Sequence, residues 1–316
     1  MNPLSAIFGA GVALRNALYD RRVLQVKKLA RPVVSIGNIS VGGSGKTPFV
    51  IALGRLLAKR GIAFDVLSRG YGRSSTETAV VDPDGSPAQF GDEPLLIAQK
   101  LQVPVIVGAD RYRAGLLAEQ KFSSKLHLLD DGFQHRRLHR DFDIVLLPAG
   151  DEESSLLPTG RLREPITALN RADAVVLFDS QKHLPGAKSV WRGRRVIEVP
   201  ASTEKIIAFS GIARPRQFVE SLKSSKLEIA GTLAFRDHHR YQQDDIDRLL
   251  HLKKQTSAES FITTEKDLVN LGTLASRLSP LFAAKLLIEL KSQEQVLIEV
   301  VKTVEQRSGQ QIWPLA

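Results

Sequence analysis

The sequence predicts an α/β protein built on a largely parallel sheet, and three observations predict it. Short apolar runs alternate with helix-period stretches along most of the chain, the pattern of buried strands under crossover helices. One early run, residues 32–39, delivers into a glycine-rich turn that opens an amphipathic stretch at Gly45, Lys46 and Thr47. At 316 residues, 43% hydrophobic and 25% charged, the chain can bury one large core or two smaller ones, and two lobes are expected. The boundary falls at 198/199, giving lobes over residues 1–198 and 199–316.

The N-terminal stretch, about residues 1–28, stands apart. Residues 1–14 carry no charge, and Arg15, Arg21, Arg22, Lys27 and Lys28 follow. A bilayer span needs about 20 apolar residues, so this stretch is too short to cross. A signal peptide would set its basic residues before the apolar run, the reverse of the order here. A helix with Leu4, Ile7, Phe8, Leu14 and Leu18 on one side remains. It is either the first helix of the core or an interfacial helix on anionic lipid.

The next strand, 33–39, feeds the loop Gly42-Gly43-Ser44-Gly45-Lys46-Thr47, and a helix follows over 45–60. Strand, glycine loop, Lys-Thr and helix in that order form a phosphate cradle, because backbone N–H groups converge on an anion at a helix N-terminus. Lys46 reaches the outer phosphates and the Thr47 hydroxyl suits Mg²⁺, so the chain binds a nucleotide. Two departures from the strict pattern are informative. Ser40 stands where a glycine is expected, and Val41 stands where partition and metal-insertion ATPases carry a second lysine.

Strands at 63–67, 104–107, 126–129, 143–147 and 174–178 and helices at 91–101 and 109–120 complete the first set. The loop Ser68-Arg69-Gly70-Tyr71-Gly72-Arg73 follows a strand and suits phosphate or sugar contact, or a basic surface turn. Residues 74–88 read as a turn-rich excursion. Asp92 opens a helix, as an N-cap or as a carboxylate able to take a proton from an attacking hydroxyl. Asp130 and Asp131 end the strand at 126–129, where P-loop proteins hold Mg²⁺, and the metal role is favoured over a plain Asp-Asp-Gly turn. Asn170-Arg171-Ala172-Asp173 is only superficially a guanine reader, since it precedes a strand. The basic stretch 191–195 and the strand after it bridge the lobes.

The second set comprises strands at 205–210, 228–235, 260–264 and 285–290 and helices at 214–224, 243–253 and 293–306. Asp237-His238-His239 follows one strand and keeps a catalytic or phosphate-binding role open beside an ordinary surface role. Thr264-Glu265-Lys266-Asp267 ends another and offers a lysine stem to a nucleotide base. The net charge of +10 calls for an acidic partner. Arg111, Arg113, Arg136, Arg137, Arg161, Arg163 and Arg192 to Arg195 read mostly as solvated, and no aromatic stripe marks a nucleic-acid groove. There is no cysteine and no zinc-like histidine spacing, which excludes disulfides and thiolate metal sites.

Jointly these motifs resemble the tetraacyldisaccharide 4′-kinase family, the lipid A 4′-kinases of Gram-negative bacteria. The resemblance runs through Gly37-Asn38-x-x-x-Gly42-Gly43-x-Gly45-Lys46-Thr47-Pro48, residues 68–73, Gly91-Asp92-Glu93-Pro94 and Asp130-Asp131-Gly132-Phe133-Gln134-His135. It continues through Gly160-Arg161-Leu162-Arg163-Glu164-Pro165, residues 209–213, Asp237-His238 and residues 264–267, covering most of the chain in order. The resemblance implies a P-loop kinase domain with helices on both sheet faces and a smaller lobe closing over the site. It implies ATP and Mg²⁺ as cofactors and transfer of the γ-phosphate to the 4′-hydroxyl of an acylated disaccharide phosphate. Lys46 and Thr47 would bind ATP·Mg²⁺, Asp130 and Asp131 would organise the metal, and Asp92 with His238 would activate the acceptor. Arg69, Tyr71, Gln134, His135, Arg163 and Glu164 are expected substrate contacts. The expected setting is the cytoplasmic face of the inner membrane, held by the N-terminal helix, with no nucleic acid and no obligate protein partner. A partition-type or nucleic-acid-dependent ATPase is the rival reading.

Overall fold

The computed structural model describes residues 2–178, 187–200 and 205–313. Helix α1 (Pro3–Asp20) starts at the Asn2 cap, whose side chain accepts from the Leu4 N–H, with Pro3 in its first turn. The first lobe follows with β1 (Val33–Asn38), α2 (Lys46–Lys59), β2 (Phe64–Ser68), β3 (Ala79–Val80) and α3 (Pro87–Phe90). Next come α4 (Asp92–Leu101), β4 (Val105–Val107), α5 (Arg111–Lys121), β5 (Leu126–Asp130), β6 (Phe142–Leu147) and β7 (Ala174–Phe178). Then β8 (Val190–Glu198) leads to β9 (Lys205–Ser210), α6 (Pro215–Ser224), β10 (Glu228–Ala234) and α7 (Gln243–Thr256). The chain ends with β11 (Ser260–Thr264), α8 (Glu265–Leu271), β12 (Leu281–Leu290) and α9 (Gln293–Ser308). The β-sheet is therefore the α/β, mostly parallel one expected.

All twelve strands form one sheet, ordered β10-β9-β11-β12-β8-β7-β6-β1-β5-β2-β4-β3. Pairings are parallel except β12 with β8 and β3 with β4. Every position of β1 is buried, as a central parallel strand covered on both faces requires. Helices α2, α4 and α9 pack on one face through Phe49, Leu53, Leu95, Ile97 and Val300, and α5 covers the other through Ala114 and Ala118. Below the sheet, His127 on β5 is buried against Asp65 of β2 at 2.7 Å and Glu119 of α5 at 3.4 Å. Burial lowers its basicity, but the two carboxylates win and hold it up at about 9.

Three expectations are revised. The basic stretch 191–195 does not precede a strand; it lies within β8, because Val190 to Gly193 pair with β7 on one side. On the other side Gly193 to Glu198 pair with β12. Strand β12 is also longer than its apolar run indicated: Leu281 to Ala284 pair with β11, and Lys285 to Leu290 with β8. Helix α9, assigned by chain order to the second lobe, returns to the first, where Val296, Leu297, Val300, Val301 and Val304 join Val34 and Phe142 in one core. Residues 201–204, beside the expected boundary, and the expected domain ends at residue 1 and residues 314–316 lie outside the described residues.

Leu297 is 1% exposed in the first lobe's core. Leu297→Ala should therefore destabilise that lobe by about 2–5 kcal/mol. Urea unfolding followed at the first-lobe Trp191 would read this, and an unchanged midpoint would detach α9 from that core.

Candidate active site

The site is assembled at the C-terminal edge of the sheet. Beyond β1 the chain turns through Gly42 (φ 67°), Gly43 (φ 61°) and Gly45 (φ 86°), left-handed conformations that glycine adopts without a Cβ clash. Asn38 Nδ2 braces the turn by donating to the Ser40 carbonyl at 2.7 Å. Lys46 Nζ hovers 3.4 Å from Asp131 Oδ1 and from Ser44 Oγ. Ser40, the departure from the strict loop, is an anchor: its hydroxyl donates to buried Asp151, which also receives Arg214 at 2.9 Å. Arg161 flanks the loop, donating to the Val41 carbonyl at 2.8 Å. A Cβ on Gly42 would lie 2.7 Å from Ala213 Cβ, so the second lobe sits directly on this loop.

Asp130 and Asp131 have different surroundings. Asp130 is 2% exposed; its Oδ2 accepts from Ser68 at 3.0 Å, while its buried Oδ1 has no hydrogen-bond partner. Burial, with Glu93 and Asp131 adding negative charge, pushes its carboxyl up to about 7. Asp131 takes φ 51° and faces Lys46 at 3.4 Å and Arg163 at 3.3 Å. Burial would raise it, but those two cations hold it below the ordinary carboxylate value. No group of three or more His, Asp or Glu among the described residues forms a metal cage. Mg²⁺ is bound through one or two carboxylates plus phosphates and water, so Asp130 with its uncommitted oxygen and Thr47 fit that ion.

Asp92 is not the cap of α4: Gly91 holds that position, and Asp92 forms the first residue of the helix. Its carboxylate, 4% exposed, reaches across to the second lobe, where His238 Nδ1 lies 3.0 and 3.1 Å from its two oxygens. His238 adopts φ 56° just after β10, and its imidazole packs 4.8 Å from the Tyr71 ring. Asn270 of α8 donates to Asp92 at 2.9 Å. Lys266 Nζ stands 3.3 Å from His238 Nε2, 3.2 Å from Asp237 and 3.7 Å from Asp92. Lys266 is thus part of the carboxylate–imidazole group, not the stem for a nucleotide base that the sequence suggested. Burial opposes ionisation of Asp92, yet His238, Lys266 and Asn270 outweigh it and keep the carboxyl low. Burial likewise lowers His238, but the Asp92 hydrogen bond leaves it raised. Its neighbour His239 has a separate, structural place, bonded to Asp245 at 2.8 Å and stacked on Phe235.

Lys46, Asp130, Asp131, His238 and Lys266 line one cleft of about 900 Å³, to which buried Asp92 is joined through His238. Of the expected substrate contacts, Arg69, Tyr71 and Arg163 line it. Gln134, His135 and Glu164 do not. Gln134 donates to the Asn38 carbonyl at 2.8 Å and to Glu164 at 3.1 Å. Glu164 is buried under Arg171 and receives Asn16 of α1 at 2.8 Å. His135 is half-buried, and burial, with the Arg111 charge adding to it, pushes its imidazole down to about 4. Sequence reading missed Asn270, whose only signal was its position one helical turn from Lys266, and misread Arg111 as solvated although it is 7% exposed.

Comparison with known proteins gives a consistent result. A family model described as tetraacyldisaccharide-1-P 4′-kinase matches residues 1–306. The tetraacyldisaccharide 4′-kinase of Koribacter versatilis (strain Ellin345) is 52% identical over 324 residues, covering 98% of this chain and all of that one. The protein of the same name from Aquifex aeolicus (strain VF5) is 38% identical over 314 residues, covering 93% and 95%. A crystal structure of LpxK from Aquifex aeolicus, an "apo" form in complex with ATP, superposes with a TM-score of 0.78 at 35% identity, covering 96% of this chain and 98% of that one.

The Asp92–His238 contact makes a titration prediction. Because the carboxylate is what raises the imidazole, wild-type His238 should titrate above 6.5 by NMR. In Asp92→Asn burial and Lys266 are opposed by Glu93 alone, and His238 should titrate lower than in wild type. The stabilisation from this pair is full below the unfolded histidine's value and is lost as pH rises through the folded one. Identical titration in both proteins would exclude the contact in solution.

Proposed function

The chain belongs to the tetraacyldisaccharide 4′-kinase family, and from that membership we propose how its own residues carry out the reaction. The reaction is ATP-dependent phosphorylation of the 4′-hydroxyl of tetraacyldisaccharide 1-phosphate, giving lipid IVA in lipid A biosynthesis. The observation that carries the residue assignment is the Asp92–His238 pair, formed across two lobes, with His238 lining the same cleft as the glycine loop.

In this reading the loop N–H groups from Gly42 to Thr47 cradle the phosphates and Lys46 moves from Asp131 onto the outer ones. Asp130 and Thr47 would hold Mg²⁺, and Asp131 keeps Lys46 and Arg163 aligned. Bound there, Mg²⁺ supplies neutralisation of charge on the transferring phosphoryl group. A sugar hydroxyl is a poor nucleophile, and the buried Asp92 carboxylate accepts its proton as transfer proceeds, with His238 sharing the positive charge of that exchange. Lys266 and Asn270 fix the pair's orientation. Arg69, Tyr71 and Arg163 contact acceptor or nucleotide. With the lobes placed as they are, the pair is already formed at 3.0 Å before any ligand binds. A partition-type ATPase is disfavoured by Val41, which lacks the cation that chemistry uses.

Helix α1 supports peripheral docking at the membrane surface that holds the acylated acceptor. Leu4, Ile7 and Leu14 are 59%, 70% and 64% exposed. The helix is attached instead by polar groups: Ser5 to the Leu156 carbonyl, Asn16 to Glu164, and Arg136 to the Asn16 carbonyl. A core helix would show the opposite. Among the described residues no helix is long and apolar enough to cross a membrane. The cytoplasmic face of the inner membrane, where ATP and acceptor meet, is the site we assign.

³²P transfer from ATP to the tetraacyl disaccharide acceptor tests the assignment. Lys46→Ala and Asp131→Ala should each lose about 10² or more in turnover. Asp92→Ala and His238→Ala should each slow kcat strongly, and the double variant should cost far less than their product, since both serve one proton transfer. Multiplicative losses would separate their roles. For the helix, Ile7→Asp with Leu14→Asp should weaken binding to anionic vesicles without changing Tm. Salt should weaken wild-type binding only partly, because the apolar share is not screened. Unchanged vesicle affinity in the double variant would refute the docking.

A further inference from the structure

Three groups that surround the Asp92 carboxylate, His238, Lys266 and Asn270, come from two short second-lobe segments, the turn after β10 and helix α8. Neither segment is held by regular structure alone. His238 stands at φ 56°, a left-handed conformation that persists in a residue with a Cβ only where its surroundings impose it. Its backbone N–H donates to the carbonyl of Gly211, just past the end of β9, at 3.1 Å. Helix α8 has only seven residues, too few to keep its own place without outside contacts.

Both segments converge on one side chain that takes no part in the transfer derived above. Asp267 is 0% exposed. Its Oδ1 accepts from the Gly211 N–H at 2.8 Å and from the Tyr241 hydroxyl at 2.9 Å, and its Oδ2 accepts from the Thr264 hydroxyl at 2.6 Å. Thr264 is the cap of α8, Gly211 holds His238, and Tyr241 lies three residues beyond His238. The Tyr241 ring is itself fixed edge-on to Phe209, Phe235 and His239, with centroids 5.8, 5.1 and 5.1 Å apart. Capping α8 does not call for a buried carboxylate, because the Thr264 hydroxyl already accepts from the Asp267 N–H at 3.1 Å. Burial raises the Asp267 carboxyl despite its three donors, so the group is kept where its charge is costly.

We propose that Asp267, together with Tyr241, is a positioning residue for phosphoryl transfer, setting where His238, Lys266 and Asn270 stand around Asp92. The proposal rests on the reading of Asp92 and His238 as the pair that takes the acceptor's proton. Lys266 adjoins Asp267 and Asn270 follows it by three residues in α8, so a shift at the start of that helix displaces both partners of Asp92 together. The Gly211 contact ties the same carboxylate to the residue that holds His238. Misplacement by about 1 Å in such a constellation can cost about 10² in rate. The hydrogen bonds of Asp267 and Tyr241 named here lie within the second lobe, whereas the glycine loop and Lys46 belong to the first. Nucleotide affinity is therefore not what they govern.

Steady-state ³²P transfer in single and combined variants tests this. Tyr241→Phe removes one hydroxyl and keeps the ring contacts. Its kcat should fall about tenfold, the size of a hydrogen bond to a charged group, with KM for ATP and Tm near wild type. Asp267→Ala should lose about 10², and Asp267→Asn, which still offers Gly211 and Tyr241 an acceptor, should recover most of that loss. Asp267→Ala also strips partners from buried groups and lowers Tm, so the deciding measurement repeats Tyr241→Phe in a His238→Ala background. With no imidazole left to place, the change should lose most of its effect on the residual rate, whereas a purely structural role would cost the same factor in both backgrounds. Wild-type kcat in Tyr241→Phe, or an equal fold-loss with and without His238, would overturn the positioning role. Wild-type turnover in His238→Ala alone would instead overturn the proton-accepting pair, and the positioning role with it.

Discussion

Strand β12 is the element on which the site depends. Its first four residues pair with β11 in the second lobe and its last six with β8, which pairs in turn with β7 of the first. A ladder of backbone hydrogen bonds therefore runs without interruption from one lobe to the other. Such a ladder limits relative motion of the lobes to twist and bend, since sliding would break many bonds at once. A carboxylate on α4 can meet an imidazole after β10 at 3.0 Å because this constraint sets their separation. Helix α9 adds a second tie by returning to the first lobe's core.

Within that frame the lobes also meet at the glycine loop. Ala213 and Arg214 lie against Gly42 and Gly43, and Asp151 joins Ser40 to Arg214. The loop glycines thus serve two purposes: they permit left-handed turns and leave room for the opposite lobe. Side chains at either position would push the lobes apart as well as fill the phosphate cradle.

The electrostatics follow a simple division. Asp131, Asp92 and Asp237 each face a cation, so their charge is matched before any ligand arrives. Asp130 is buried at the end of β5 with an uncommitted oxygen, and burial together with the charges of Glu93 and Asp131 raises its value. A buried carboxylate in that state gains most from a divalent ion. The +10 net charge is spread more widely: part of it faces the cleft through Arg69 and Arg163, and part follows α1.

The sequence by itself determined most of the strands, though not β3 or the extent of β8 and β12, together with the glycine loop with Lys46 and Thr47, the carboxylates at the end of β5 and the family. These are local signals: hydrophobic period, glycine placement and residue order survive without knowledge of distant neighbours. It left open whether Asp92 caps a helix or faces a partner, because both roles put an aspartate at a helix start. It misplaced Lys266, missed Asn270 and Arg111, and counted Gln134, His135 and Glu164 as cleft residues when packing turns them into supports. It could not decide whether α1 is buried, since an apolar face reads the same whether it meets core or lipid. Those questions were decided by tertiary structure alone, because each depends on which groups the fold brings together from separate parts of the chain, as it does for Asp92 and His238, 146 residues distant.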